Sequence, residues 1–251
     1  MKHRVVQNKF FLRRAVALIC IIMMLISTTS TYFLIKNFTT SHEDTPSETD
    51  VVLAETIENS PNSKFTVCLD PGHGGYDEGC HSSNGILEKN LTLSLATLVG
   101  DILKTNGLNV VYTRDSDSVP WPPNVKKDLA QRVDICKTAN STIFVSIHFN
   151  SDKNNAFRGT EVWTRFPNTD GDMLSKSVLK ELSALKYTQN RGIKYESQGR
   201  LKVLKENSVP STLLELGFLS NKEDLNFISS ENGKKFISEA IAKGIMNYFS
   251  K

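Results

Sequence analysis

The chain has 251 residues, with 30 Lys and Arg against 27 Asp and Glu, a formal charge of +3. So even a balance excludes the basic footprint of a nucleic-acid-binding protein. Four cysteines without paired spacing exclude a disulfide framework and a cysteine-built structural metal site.

Residues 1–36 open with Lys2, Arg4, Lys9, Arg13 and Arg14 and no acid, followed by an uncharged run over 15–35. At about 1.5 Å per residue such a run spans roughly 30 Å, the hydrocarbon thickness of a bilayer. The pattern predicts one N-terminal transmembrane signal anchor. A cleaved secretory signal is the competing reading, opposed by the return of apolar character at Tyr32, Phe33, Leu34 and Ile35. The cationic flank stays in the cytoplasm, so everything beyond it is expected on the extracytoplasmic side of the cell membrane. Residues 37–63 carry six acids, two prolines and little periodicity, the composition of a flexible linker.

Residues 64–251 form the remaining domain, in which strand-like and helix-like segments alternate, the mark of an α/β layered fold. Strands are predicted over 64–70, 109–113, 142–149, 159–165, 201–205 and 211–217. Helices are predicted over 88–105, 126–138 and 171–187, with two short ones after Asn221 and Glu231. In the first helix Leu91, Leu95, Leu98, Ile102 and Leu103 recur at helical spacing, and Asn106-Gly107 ends it.

Asp70-Pro71-Gly72-His73-Gly74-Gly75 follows the first strand. Its glycines admit conformations closed to other residues, so a bulky partner can approach the backbone there. Three further polar residues stand where a core wants apolar ones. His148 lies at the carboxyl end of a predicted strand, where open α/β sheets bind ligands. Glu88 extends the apolar stripe of the first helix, although a carboxylate there also complements the helix dipole. Glu215 interrupts the apolar run 211–218, where an ionised carboxylate is costly unless partnered. Two imidazoles and a carboxylate (His73, Glu88, His148) with one open position describe a catalytic zinc site. Glu215 beside it would act as the catalytic base. Arg132 reads either as a contact to substrate or carboxylates, or as a surface arginine. His81 reads as an exposed loop residue. The thiols are expected to be free, Cys80 exposed, and nothing in the spacing recommends a Cys80–Cys136 bridge.

Four ordered motifs, Asp70 to Gly75, Glu88-Lys89, Ser146 to Asn150 and Glu215 to Asn221, resemble the zinc N-acetylmuramoyl-L-alanine amidases of the amidase-3 type. The resemblance covers the whole domain. It implies a single catalytic domain with a central mixed, mostly parallel sheet flanked by helices. It implies hydrolysis of the amide between N-acetylmuramic acid and L-alanine in peptidoglycan, with His73, Glu88 and His148 as Zn2+ ligands and Glu215 as the catalytic glutamate. An anchor, a tether and a bare catalytic domain resemble the spore-cortex, germination-specific subgroup. Some family members need an activating protein partner, so the resemblance admits one here. The metal chemistry alone leaves open a non-catalytic peptidoglycan-binding scaffold, a stem peptidase or a deacetylase.

Overall fold

The computed structural model describes residues 64–250. The anchor expected over 1–36 and the linker over 37–63 lie outside the described residues. Among those described, no helix is long and apolar enough to cross a membrane.

β1 (Thr66–Pro71) leads through a glycine-rich loop to α1 (Glu88–Thr105), then β2 (Asn109–Tyr112) and α2 (Val125–Thr138). β3 (Ile143–Asn150) and β4 (Thr160–Thr164) precede α3 (Asp170–Ala184) and β5 (Asn190–Tyr195). The chain closes with α4 (Lys202–Glu206), β6 (Ser211–Phe218), α5 (Lys222–Ile228) and α6 (Glu231–Phe249). Helix starts follow local chemistry: Asn124, Thr169, Asn221 and Ser230 each accept a hydrogen bond from a first-turn amide of α2, α3, α5 and α6.

The strands form one sheet in the order β2-β1-β3-β6-β4-β5. Every pairing is parallel except β4 with β6, which is antiparallel. The sheet is therefore mixed and mostly parallel, as expected. Alternation along each strand divides its faces. Val67, Leu69, Val145, Ile147, Val162 and Leu214 turn to the main core, with Leu95, Val99 and Leu103 of α1, Leu174 and Val178 of α3, and Ile241 and Ile245 of α6. Cys68, Phe144 and Leu213 turn to a smaller core with Cys136 of α2 and Val203 and Leu204 of α4.

Three expectations need correction. The segment 201–205 is not a strand: Lys202–Glu206 is the short helix α4, which buries Val203 and Leu204. Asn190–Tyr195 is a strand that the sequence reading lacks, an edge strand with no fully buried position. The final helix is long, at 19 residues. Of the thiols, only Cys80 sits differently from expectation. Cys80 is half-buried, its thiol directed at the Phe149 and Asn150 carbonyls. Cys68 and Cys136 are buried, and all three described cysteines are free, as expected.

Arg132 is no surface residue. Its guanidinium ties α2 to β1, with Nη1 2.8 Å from Asp70 Oδ1 and Nε 2.6 Å from Asp128 Oδ1. Asp70 also accepts from Ser146 Oγ and Thr113 Oγ1, both at 2.6 Å. Burial alone would raise the Asp70 pKa, but the Arg132 charge and these hydrogen bonds outweigh it and hold the carboxyl below its ordinary 3.8. Removing the cation leaves two buried carboxylates unpaired. Arg132→Met is therefore expected to cost about 3–5 kcal/mol in denaturant unfolding at neutral pH. Because the folded pKa of Asp70 is depressed, its contribution is complete above the unfolded value and is lost as pH falls below about 4. Stability measured between pH 5 and 2 should drop less steeply in Asp70→Asn than in the parent.

Candidate metal centre and active site

The chain runs from β1 outward to β2 and then returns to β3 on the other side of β1. The carboxyl ends of β1 and β3 therefore flank a switch point, the place where open α/β sheets form crevices. His73 follows the end of β1, His148 stands near the end of β3, and Glu88 is the first residue of α1. The structure brings all three together, with one ligand atom from each lying within 4.8 Å of the others. Glu88 Oε1 is 3.1 Å from His73 Nε2 and 3.2 Å from His148 Nδ1. The two rings meet edge to face at a centroid distance of 4.8 Å.

Two of the three groups are held from behind. His73 Nδ1 is 2.8 Å from Asp77 Oδ2, a contact that fixes the tautomer and leaves Nε2 free to ligate. Glu88 accepts the Phe149 amide at Oε1 (2.9 Å) and the Cys80 amide at Oε2 (2.8 Å). The Phe149 amide lies where the β3–β6 register shifts just beyond His148, a local irregularity of the kind that re-aims groups at active sites. Burial of Glu88 would raise its pKa, but the hydrogen bonds and charges of His148 and His73 prevail and press it far below the ordinary range. Burial likewise opposes charge on His73, but Glu88 and Asp77 outweigh it and raise its pKa. Cationic species are therefore favoured between these groups.

The turn itself is unusual backbone. His73, Gly74 and Gly75 have φ of 62°, 125° and 57°, three successive left-handed residues of which only two are glycine. Two buried arginines take its carbonyls. Arg114 donates to Pro71 O (3.1 Å) and Gly72 O (2.9 Å), while Arg132 donates to Pro71 O (2.9 Å) and His73 O (2.7 Å). The close approach anticipated at the glycines is made by a side chain of the protein itself: a Cβ on Gly72 would stand 2.3 Å from His148 Cε1. Gly79 is equally constrained, its added Cβ falling 2.6 Å from Glu88 Oε2.

Glu215 faces His148 directly across β3 and β6, and Glu161 across β6 and β4. Its Oε2 is buried without a hydrogen-bond partner among the described residues. Burial, then the charges of Glu88 and Glu161, push its pKa well above the ordinary value. His81 stands apart from the cluster, exposed and paired with Glu78 at 3.0 Å.

Sequence reasoning missed Asp77 and Glu161. Asp77 was legible as an acid four residues beyond His73. Glu161 was not, because Thr-Glu-Val-Trp-Thr alternates like any half-exposed strand. Glu161 is held by Arg191 Nε at 2.9 Å, Asn150 Nδ2 at 3.2 Å and Trp163 Nε1 at 3.2 Å.

A sheet that gathers two imidazoles and a carboxylate at its strand ends, with an unsatisfied acid alongside, defines a catalytic domain of the hydrolase type. The chain belongs to the N-acetylmuramoyl-L-alanine amidase family, whose model matches residues 67–247. Its reaction is hydrolysis of the amide bond between N-acetylmuramic acid and L-alanine in peptidoglycan. An uncharacterized cell wall amidase of Bacillus anthracis is 35% identical over 193 residues, 73% of this chain and 35% of the relative's length. The germination-specific N-acetylmuramoyl-L-alanine amidase of Bacillus subtilis strain 168 is 29% identical over 198 residues, 76% of this chain and 82% of that protein. Among solved structures, the CwlD amidase from Clostridioides difficile in complex with the GerS lipoprotein is similar at TM-score 0.67 and 29% identity, covering 74% of this chain and 98% of that one.

The backbone of Gly72 is not left-handed, and the atoms nearest an alanine Cβ there are those of the His148 ring. At a cluster whose donors could hold a metal ion, Gly72→Ala is expected to weaken the affinity for added zinc(II) by about 10–100-fold, the range for disturbed ligand support. Competition with a chromophoric chelator reads the affinity, and circular dichroism should show the fold intact.

Proposed function

We propose that His73, Glu88 and His148 hold a zinc ion and that Glu215 is the general base of the amidase reaction. One observation carries this reading: two imidazole nitrogens converge on one oxygen of a buried, strongly acidic carboxylate. That donor set suits zinc in a catalytic site with an open position. When bound, zinc would supply Lewis acidity, lowering the pKa of water and polarising the scissile carbonyl.

The remaining chemistry belongs to the chain. Asp77 holds His73 in the tautomer that ligates, and the Phe149 and Cys80 amides hold Glu88. Glu215 Oε2, which no donor among the described residues satisfies, accepts the proton of the attacking water and returns it to the leaving alanine nitrogen. Its raised pKa suits both halves of that transfer, since a base that is too weak cannot take the proton and one that is too strong cannot release it.

The same reading extends to the setting. The uncharged run 15–35 behind a basic flank supports a membrane anchor with the catalytic domain on the extracytoplasmic side. Likeness to a germination-specific amidase supports action on spore-cortex peptidoglycan. Likeness to an amidase solved with a lipoprotein supports an activating protein partner.

Digestion of peptidoglycan by the purified full chain, with products identified by mass spectrometry, tests the reading. Intact stem peptides beginning with L-alanine are expected. Chelation should abolish their release and added zinc restore it. Cleavage within the stem, or release of acetate, would show a different hydrolase.

Glu215→Gln separates catalysis from folding. Turnover is expected to fall by roughly two orders of magnitude or more with zinc content unchanged. A raised carboxyl pKa destabilises the fold once pH exceeds the unfolded value near 4.5, because the unfolded chain then releases its proton more readily. The zinc-free Glu215→Gln variant should therefore melt at a higher temperature than the zinc-free parent at pH 7.

A further inference from the structure

Beside the His73–His148 pair lies a cavity of about 150 Å³ between α2 and α4. Its side walls are apolar, formed by Val125 and Leu129 of α2, Leu201 before α4, and Leu213 of β6, while its inner end is polar, formed by Asp77 and the Asp70–Arg132–Asp128 cluster. Its outer rim is cationic, formed by Arg200 and Lys202. The two cations differ in what they have left to offer. Lys202 Nζ is engaged, donating to Lys126 O at 3.0 Å and lying 3.5 Å from Glu206. Arg200 is held at Nε by buried Glu196, 2.8 Å away, while its side chain remains 74% exposed. Its terminal nitrogens have no partner among the described residues, so a fixed guanidinium presents a free fork at the cavity mouth.

The substrate has two sides, and the cavity discriminates between them. On the glycan side the muramic acid carboxyl is consumed in the scissile amide, leaving a bulky, uncharged sugar. On the peptide side comes a methyl group, then a second residue that carries either a free carboxylate or its amide. The cavity holds the volume of about five waters, which suits an alanine and not an N-acetylated sugar ring. Apolar walls fit the methyl, and the cationic rim fits the carboxylate beyond it.

We propose that this cavity is the stem-peptide subsite and that Arg200 reads the carboxylate of the residue following L-alanine. The enzyme then prefers stems with a free acid at the second position over stems amidated there. The assignment rests on the amidase reading above and adds to it an orientation, with the peptide toward α2 and α4.

Two synthetic muramoyl peptides, identical except for a carboxylate or a carboxamide on the second stem residue, provide the test. The zinc-loaded full chain is expected to show kcat/KM about tenfold higher for the acid, as one charge-assisted hydrogen bond would give. That preference should reside mainly in KM and shrink as salt rises. Arg200→Gln should bring the ratio to within about twofold of one. A wild-type ratio near one, or a preference insensitive to salt, overturns the proposal without touching the amidase reading. An Arg200→Gln variant that keeps the wild-type ratio overturns it equally. Failure of the wild type to cleave either peptide, with zinc and a candidate lipoprotein partner supplied, overturns the amidase reading itself and this proposal with it.

Discussion

Everything at this site depends on three consecutive backbone carbonyls, those of Pro71, Gly72 and His73, held by two buried guanidinium groups. His73 is a non-glycine residue in left-handed backbone, a conformation that costs roughly 1–2 kcal/mol where it is not imposed. Arg114 and Arg132 impose it, and Asp70 and Asp128 neutralise Arg132. A turn that would otherwise sample many shapes becomes a rigid mount for one imidazole. Because no Cβ projects from Gly72, the second imidazole packs against that mount. The position of each ring is thereby defined by the other.

Around this mount the same residue type performs opposite tasks. Glu88 and Glu215 both lie beside the histidines, yet hydrogen bonds and imidazoles keep the first ionised while burial and like charges favour the protonated form of the second. Environments that separate the pKa values of neighbouring carboxyls suit the two roles proposed above, holding and proton-carrying, within one small volume. Glu161 takes part in that separation from the next strand. Its own charge is balanced by Arg191, so it adds field at Glu215 without competing for the cluster.

Three of the four central residues, Glu88, His148 and Glu215, were legible because each places an imidazole or carboxyl where strand or helix periodicity calls for an apolar side chain, and His73 was legible from the glycine turn that carries it. The family resemblance rested on those same residues. The arginine clamp was not legible, since Arg114 and Arg132 act on carbonyls 42 to 61 residues away and nothing local announces such a pairing. Asn190–Tyr195 escaped because an edge strand needs no buried face, and its residues alternate no apolar pattern. The run Leu201-Lys202-Val203-Leu204-Lys205 is short enough to serve as strand or helix. Packing of Val203 and Leu204 beneath α2 decides for helix.

The position of β6 carries a temporal consequence. It is the last strand in sequence, yet it lies between β3 and β4 near the middle of the sheet. Until it inserts, β2-β1-β3 and β4-β5 are two separate half-sheets, and closing the gap demands long-range contacts of the slowest-forming kind. Glu215 arrives on that strand, directly opposite His148. The proposed base is thus carried by the strand that completes the sheet: a chain ending before β6 holds all three candidate ligands and lacks the residue proposed to move the proton.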